Sequence, residues 1–449
     1  MSQLGLLLRV GMQRARQDAS SRWSVQQLRQ HQQRALAELR RFARERSPFY
    51  GDFHAGLDDA PLEALPILDK ARLMAEFDRV VTDPAIRLAD VEAHLAQPDP
   101  GRPYLGRYTA LSTSGSTGRR GVFVFSPDEW RAGLAAIMRP LLWSGAPSPL
   151  ARPRTALIAS SAPWHYSARV GASLSTPLLR GLRLDAGLPL AEVVARLNDW
   201  QPVSMAAYPS VLRQLADEQL AGRLDIPLRH VGTSAERLPD ATRAHVRTAW
   251  GIPVHDTYGA TEYAPIATEC QAGSLHLLED RAIFEIVDAD GRVVPPGESG
   301  ARLLLTVLDR RTQPLIRYEI SDGLRELPGL CACGRPFRRL ACVEGRVEEA
   351  LHLRAADGGP AVDIHPNLVH ALLERVPATG WQLRQESADA LTVLLTGRPD
   401  NTEAQALQQR WTALLASRGA AATRLDVRWV AELPRGASGK APLIVALPA

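Results

Sequence analysis

At 449 residues the chain is too long for one compact core, and two or three domains are expected. Hydrophobic residues make up 45% and charged residues 23%, with a formal charge of +4, the balance of a folded globular enzyme rather than a disordered chain. The arginines are spread along the chain and no basic stripe alternates with aromatics, so nucleic acid is not an expected partner.

From the amino terminus, Leu4-Gly5-Leu6-Leu7-Leu8 precedes the first basic residue, Arg9. A secretory signal has the reverse order, so this stretch reads as a short amphipathic arm. No apolar run approaches transmembrane length; no membrane is expected as a partner, and the cytoplasm is the expected compartment. Residues 24 to 46 place Leu28, Ala35, Leu36 and Leu39 near helical spacing, and Ser47-Pro48 ends that helix. Asp69 before Lys70-Ala71-Arg72-Leu73 is a helix cap.

Residues Leu111 to Gly121, Leu-Ser-Thr-Ser-Gly-Ser-Thr-Gly-Arg-Arg-Gly, are dense in hydroxyls and glycines. Glycines let backbone N–H groups turn inward together, and hydroxyls add donors around the same hollow, which suits a polyphosphate. It is not a Walker A loop: no Gly-Lys-Ser/Thr follows, and Val122 to Phe125 reads as a strand, not a helix. A flexible Gly/Ser hairpin tip is the alternative.

A helix is expected over 128–142. Between Thr155 and Tyr258, short apolar runs at 155–159, 203–208, 229–233 and 253–258 alternate with helical stretches at 190–197 and 209–218, the order of a layered α/β domain with a largely parallel sheet. After Ala264 the pattern turns β-rich, with strands at 275–278, 282–287 and 301–307. Beyond Gly345 a hairpin, a helix at 366–375, strands at 381–384 and 390–395, a helix at 402–418 and a strand at 425–430 suggest a small α+β domain. The expected division is 1–344 and 345–449.

Three further stretches carry candidate chemistry. Asp256-Thr257-Tyr258-Gly259-Ala260-Thr261-Glu262 puts a hydroxyl and a carboxylate where a strand end turns, the edge at which α/β sheets bind ligands; an ordinary turn is the alternative. In Arg317-Tyr318-Glu319-Ile320-Ser321-Asp322, followed by Gly345-Arg346, a carboxylate able to accept from two ribose hydroxyls precedes a cation; a turn residue and a surface charge are the bland counterparts. Leu433-Pro434-Arg435-Gly436-Ala437-Ser438-Gly439-Lys440 sets a lysine on a Gly/Ser loop, alone no more than a solvated tail.

In this order and spacing, the four stretches resemble the adenylate-forming superfamily of acyl-CoA ligases and adenylation domains, most closely its phenylacetate–CoA ligase branch. The resemblance runs from Ser47-Pro48-Phe49-Tyr50 to Lys440. It implies a large N-terminal layered α/β domain with a β-rich subdomain and a small mobile C-terminal α+β domain. It implies ATP-dependent activation of a carboxylic acid, aryl in kind, as an acyl-AMP, followed by thioester formation with coenzyme A. Transfer to a carrier-protein thiol or an amine is the alternative, as is a catalytically weak relative that binds nucleotide or acyl ligand.

By the same resemblance, Ser114, Gly115, Ser116, Thr117 and Gly118 match the phosphate loop, and Thr261 and Glu262 the phosphate and Mg²⁺ contacts. Tyr258 and Gly259 lie at adenine, with Ser234, Ala235 and Glu236 bordering adenine and the acyl pocket. Asp322 and Arg346 match the ribose contacts, and Lys440 the lysine bridging carboxylate and α-phosphate. Trp164, His165 and Tyr208 sit where the acyl pocket is walled, with core packing as their alternative. The chain departs from the family in Arg119-Arg120, which replace the usual Lys-Pro, and in Glu348 at the hinge. Cys270, His276, Cys331 and Cys333 would close a tetrahedral structural zinc site like that of some relatives, against unpaired thiols on β turns.

Overall fold

The computed structural model describes residues 3–97, 102–113, 121–148, 151–176, 179–346, 351–359, 361–364, 366–373, 375–378, 380–399, 401–434 and 441–447. The segment Ser114–Arg120, Glu348 and Lys440 lie outside these.

A helix over Gln3–Ser20 leads into a second over Val25–Arg46, closed at its start by a reciprocal capping box between Ser24 and Gln27. Asp69 caps the helix Lys70–Ala75 through the amide of Arg72, as expected from sequence. Strands β1 (Thr109–Ser112) and β2 (Val122–Phe125) form an antiparallel hairpin with Ser112 opposite Val122. Beneath it, the helix expected over 128–142 is two helices, Pro127–Ile137 and Arg139–Trp143, meeting at Met138. Pro140 has no N–H to donate and its ring crowds the carbonyl four residues back, so the first helix cannot run on.

The scaffold is a ten-stranded mixed sheet. Its parallel half holds β3 (Thr155–Ala159), β4 (Gly181–Asp185), β5 (Ser204–Ala207), β6 (His230–Ser234) and β7 (Val254–Tyr258), in the order β4-β3-β5-β6-β7. Helices Leu190–Trp200, Pro209–Leu220 and Asp240–Trp250 alternate with these strands; the first two helices and all strands but β4 follow the expected alternation, while β4 and the third helix add to it. Side chains of Met205, Val231 and Val254 bury against Leu197, Leu212, Leu215 and Val246 in one apolar cluster.

The sheet then continues antiparallel through β8 (Ala267–Glu269) and β9 (Leu275–Leu277). A separate three-stranded sheet is made by β10 (Ala282–Val287), β12 (Arg302–Val307) and β13 (Tyr318–Ile320). The large sheet ends with β15 (Arg339–Arg346), β14 (Asp322–Leu327) and the short β11 (Ser299–Gly300) at its edge. This is the β-rich portion expected after Ala264.

The C-terminal residues have their own core. The hairpin β16 (Leu351–Leu353) and β17 (Val362–Ile364) and the four-stranded sheet of β18 (Gly380–Ser387), β19 (Ala390–Thr396), β20 (Arg424–Trp429) and β21 (Ile444–Val445) pack on helices Pro366–Leu373 and Asn401–Ser417. Trp411, Leu407, Leu383, Leu395 and Ile444 are buried together there. Among the described residues no helix is long and apolar enough to cross a membrane.

Candidate active site

A cavity of about 1200 Å³ opens at the C-terminal ends of the parallel strands, where such sheets bind ligands. Thr261 and Glu262, Ser234 and Ala235, Gly259, and Asp322 all line it, although they come from three separate segments. Thr113 lines it as well, at the near end of the Gly/Ser segment. Its amide donates to the Gly121 carbonyl at 2.9 Å, and the Gly121 amide donates to Thr113 Oγ1 at 2.8 Å. These two bonds close the base of the segment. Ser114, Gly115, Ser116, Thr117 and Gly118 themselves lie outside the described residues, as does Lys440.

Glu262 is 7% exposed, and Tyr318 donates its hydroxyl to the Glu262 carboxylate at 3.2 Å. Burial and that neighbouring carboxylate hold the Tyr318 phenol protonated well above its ordinary pKa, so it stays a donor. Arg310, almost completely buried, donates to the Glu262 carbonyl at 2.6 Å and lies over the Phe125 ring at 4.1 Å. One cation therefore ties the Thr261–Glu262 turn to the strand that leaves the Gly/Ser segment.

Tyr258 donates its hydroxyl to Asp322 at 2.5 Å. Asp322 opens β14 opposite Arg346 on β15, so backbone pairing alone brings these two candidates to one place. The Glu236 carboxylate, next in sequence to the cavity residues Ser234 and Ala235, is held by three hydrogen bonds. It accepts from the Ser210 amide at 3.0 Å and hydroxyl at 3.1 Å, and from the Ala441 amide at 3.0 Å. Ala441 stands just before β21 of the C-terminal sheet, so this carboxylate joins the two parts of the chain.

His165 and Tyr208 line the cavity: His165 Nδ1 lies 2.8 Å from Ser160 Oγ, and the Ser160 amide donates to the Tyr208 hydroxyl at 2.9 Å. Trp164, expected beside them, is not in the cavity lining. It packs, partly buried, on the apolar cluster that holds Phe77, Val81, Tyr104 and Tyr108, and its carbonyl accepts from the Ser112 amide at 3.1 Å.

Several lining residues escaped the sequence reading. Lys70 is half-buried at the cavity, with its stem 3.3 Å from where a Cβ on Gly121 would stand. Ser144, Ser204, His230 and His255 line the deep end. A lone histidine or serine on a strand carries no motif; the available signal was period-two alternation, which puts Ser204, His230 and His255 on the same face as Ala206, Gly232 and Thr257.

The cysteine cluster lies at the antiparallel end of the sheet. Cys270 and His276 flank the β8–β9 turn, Cys331 and Cys333 stand in the β14–β15 turn, and one ligand atom from each falls within 4.8 Å of the others. Cys270 and Cys331 sulfurs are 3.8 Å apart, too far for a disulfide and close to the edge of a tetrahedron with ~2.3 Å zinc–sulfur bonds. His276 Nδ1 sits 3.1 Å from the Phe337 carbonyl, which orients Nε2 at 3.3 Å from the Cys333 sulfur. This donor set fits a closed structural zinc site.

A cleft at the C-terminal ends of the parallel strands, lined by a Thr-Glu turn and by Thr113 at the base of the Gly/Ser segment, defines a nucleotide-dependent enzyme. The chain belongs to the AMP-binding enzyme family, whose model matches residues 73–304. It is 26% identical over 374 residues to a phenylacetate–coenzyme A ligase of Thermus thermophilus, covering 78% of this chain and 76% of that one. To the enzyme of the same name from Pseudomonas putida it is 33% identical over 175 residues, 37% of this chain and 39% of that one. A 2-hydroxyisobutyryl-CoA ligase crystallised in its postadenylation state shares the fold with a TM-score of 0.66 at 20% identity, over 92% of this chain and 88% of that one.

Proposed function

We propose that this enzyme activates a carboxylic acid, aryl in kind, with ATP and passes the acyl group to coenzyme A. A carboxylate oxygen attacks the α-phosphorus and the bond to pyrophosphate breaks; the coenzyme A thiol, giving up its proton, then attacks the acyl carbon of the acyl-AMP and AMP leaves. The single observation carrying this reading is that Glu262 and Asp322, from segments sixty residues apart, line one cavity with the closed base of the Gly/Ser segment. Family membership and two relatives named as phenylacetate–coenzyme A ligases support it.

In this reading Thr261 and residues 114–118 bind phosphate, and Glu262 holds Mg²⁺ with its carboxylate fixed by Tyr318. The ion would offset charge that builds on the phosphates during attack. Tyr258, Gly259, Ser234 and Ala235 border adenine, while Asp322 and Arg346 take the ribose. Lys440, one residue before the amide held by Glu236, would neutralise the attacking carboxylate and α-phosphate. We assign residues 345–449 to a mobile domain and the Cys270-His276-Cys331-Cys333 set to structural zinc. Thiols kept this close without a disulfide suit the cytoplasm.

The test is carboxylate-dependent exchange of pyrophosphate into ATP, followed by acyl-CoA formation with no carrier protein added. Exchange and thioester together support the proposal. Folded protein with no exchange across aryl and alkyl acids overturns it.

A further inference from the structure

The deep end of the cavity is polar, and the polarity is built rather than incidental. The wall along the cavity is apolar, with Ile137, Met138 and Leu141 facing Val170 and Leu174. The floor is small, Ala206 and Gly232, so a flat ring meets nothing larger than a methyl group there. Beyond that floor come two imidazoles and two hydroxyls.

The bonding of this group can be followed atom by atom. Ser144 has one hydroxyl proton, and its oxygen is 2.6 Å from the Pro140 carbonyl, which must take it. His230 Nε2, 2.7 Å from the same oxygen, is then the donor. His230 Nδ1 is left as the acceptor for Ser204 Oγ at 3.2 Å. Both nitrogens of His230 are therefore used, and the ring is locked.

His255 lies parallel to it, ring centres 5.5 Å apart at 8°. Its Nδ1 is buried with no hydrogen-bond partner among the described residues. A polar atom buried without a partner costs of order 1–3 kcal/mol, and replacement by an apolar ring would avoid it. Nδ1 is closed off from the cavity, so a ligand there meets the other ring nitrogen, Nε2, which is not among the buried atoms.

We infer that the acid this enzyme activates carries a neutral hydrogen-bonding substituent, a hydroxyl or an amine, at the end remote from its carboxylate, and that His255 recognises it. This rests on the proposed function and names its substrate class. His255 precedes Thr257 by two strand residues, a rise of about 7 Å, which is the span of one aromatic ring with its substituents. A second carboxylate is a poor fit, because burial keeps both imidazoles neutral: His230 is pulled down to about 4 and His255 also below its usual range. The locked His230 acts as a positioning residue that holds the His255 ring by stacking.

The experiment compares pyrophosphate exchange for phenylacetate and benzoate with their 4-hydroxy, 4-amino and 4-methyl derivatives. The hydroxy or amino acid is expected to exceed the methyl isostere at least tenfold in kcat/KM, since a site built for a hydrogen bond rejects the analogue lacking it. His255→Leu should reverse the order in favour of the methyl acid, and His255→Gln, which keeps donor and acceptor, should preserve it. Equal or better exchange with the unsubstituted or methyl acids overturns the inference while leaving acid activation standing. Exchange with none of the eight acids sinks acid activation of this class itself, and the inference with it. If His255→Leu does not fold, the wild-type comparison decides alone.

Discussion

Asp322 shows how one side chain can be set for two partners. Its carboxylate accepts from the Tyr258 hydroxyl at 2.5 Å, and the residue lines the cavity where the proposal sets the ribose. A hydrogen bond to a charged group contributes about 1.5–3 kcal/mol. Asp322→Asn should therefore raise the KM for ATP by roughly 10- to 100-fold with little change in KM for the acid. Equal changes in both constants would show that the residue serves general architecture and not the ribose. His230 makes a different statement, about pH. Burial, with His255 beside it, holds its folded pKa at about 4 against an ordinary value of 6.5. Unfolding thus takes up a proton between these values, so this contribution to stability is intact above pH 6.5 and is lost as pH falls toward 4. Between pH 7 and pH 5 the loss is about 2 kcal/mol. Denaturant unfolding of wild type and His230→Gln at both pH values isolates it. The variant should lose less on acidification, even though His54, also held near 4, follows the same course in both proteins. Asp256, raised to about 7 by burial and Glu269, acts in the opposite direction in both and cancels from the difference.

At the level of elements, the cysteine cluster clips the β8–β9 turn to the β14–β15 turn, sixty residues apart in sequence, beside the stacked rings of Trp143 and Phe337. Purified protein is expected to hold about one zinc per chain. Chelation, or Cys331→Ser, should lower the unfolding midpoint by several degrees, because the metal's binding energy adds to folding energy. Folded protein free of zinc whose midpoint ignores a chelator would count against the clip. This cluster also marks what the sequence discloses. Four ligands in two tight groups specify their own chemistry, and short apolar runs located four of the five parallel strands to within a residue or two; β4, whose Gly181 and Arg183 are exposed, has no such run. The break at Met138 was legible too, had Pro140 been weighed above the apolar spacing around it. The histidine pair was not legible, because His230 and His255 meet only through the β6–β7 register that aligns Gly232 with His255. For Trp164 the sequence left pocket wall and core packing both open, because the apolar cluster it packs on includes Phe77, Val81, Tyr104 and Tyr108, distant in sequence.

Across the whole molecule, the consequential contact is the one between the two cores. The Ala441 amide donates to Glu236 at 3.0 Å, and Gln382 of β18 donates to the carbonyls of Pro434 at 3.2 Å and Pro442 at 2.8 Å, on either side of the Lys440 segment. The residues flanking that segment are thus bonded to their own sheet through Gln382 and to the large domain through Glu236. If the C-terminal core turns between acid activation and thioester formation, the Gln382 bonds travel with it and the Glu236 bond must break. Glu236→Ala should then slow pyrophosphate exchange at least tenfold, the size expected for one charge-assisted hydrogen bond. It should leave thioester formation from supplied acyl-AMP within about twofold, since that step would not use the bond. Ser210→Ala separates this from an indirect effect through the helix Pro209–Leu220: it removes one of the two Ser210 bonds to Glu236 but keeps the Ala441 contact, and exchange should stay close to wild type. Equal losses in both half-reactions for Glu236→Ala, or a Ser210→Ala variant as slow as it, would mean that Glu236 supports the fold around the cleft and does not select the orientation of the C-terminal core.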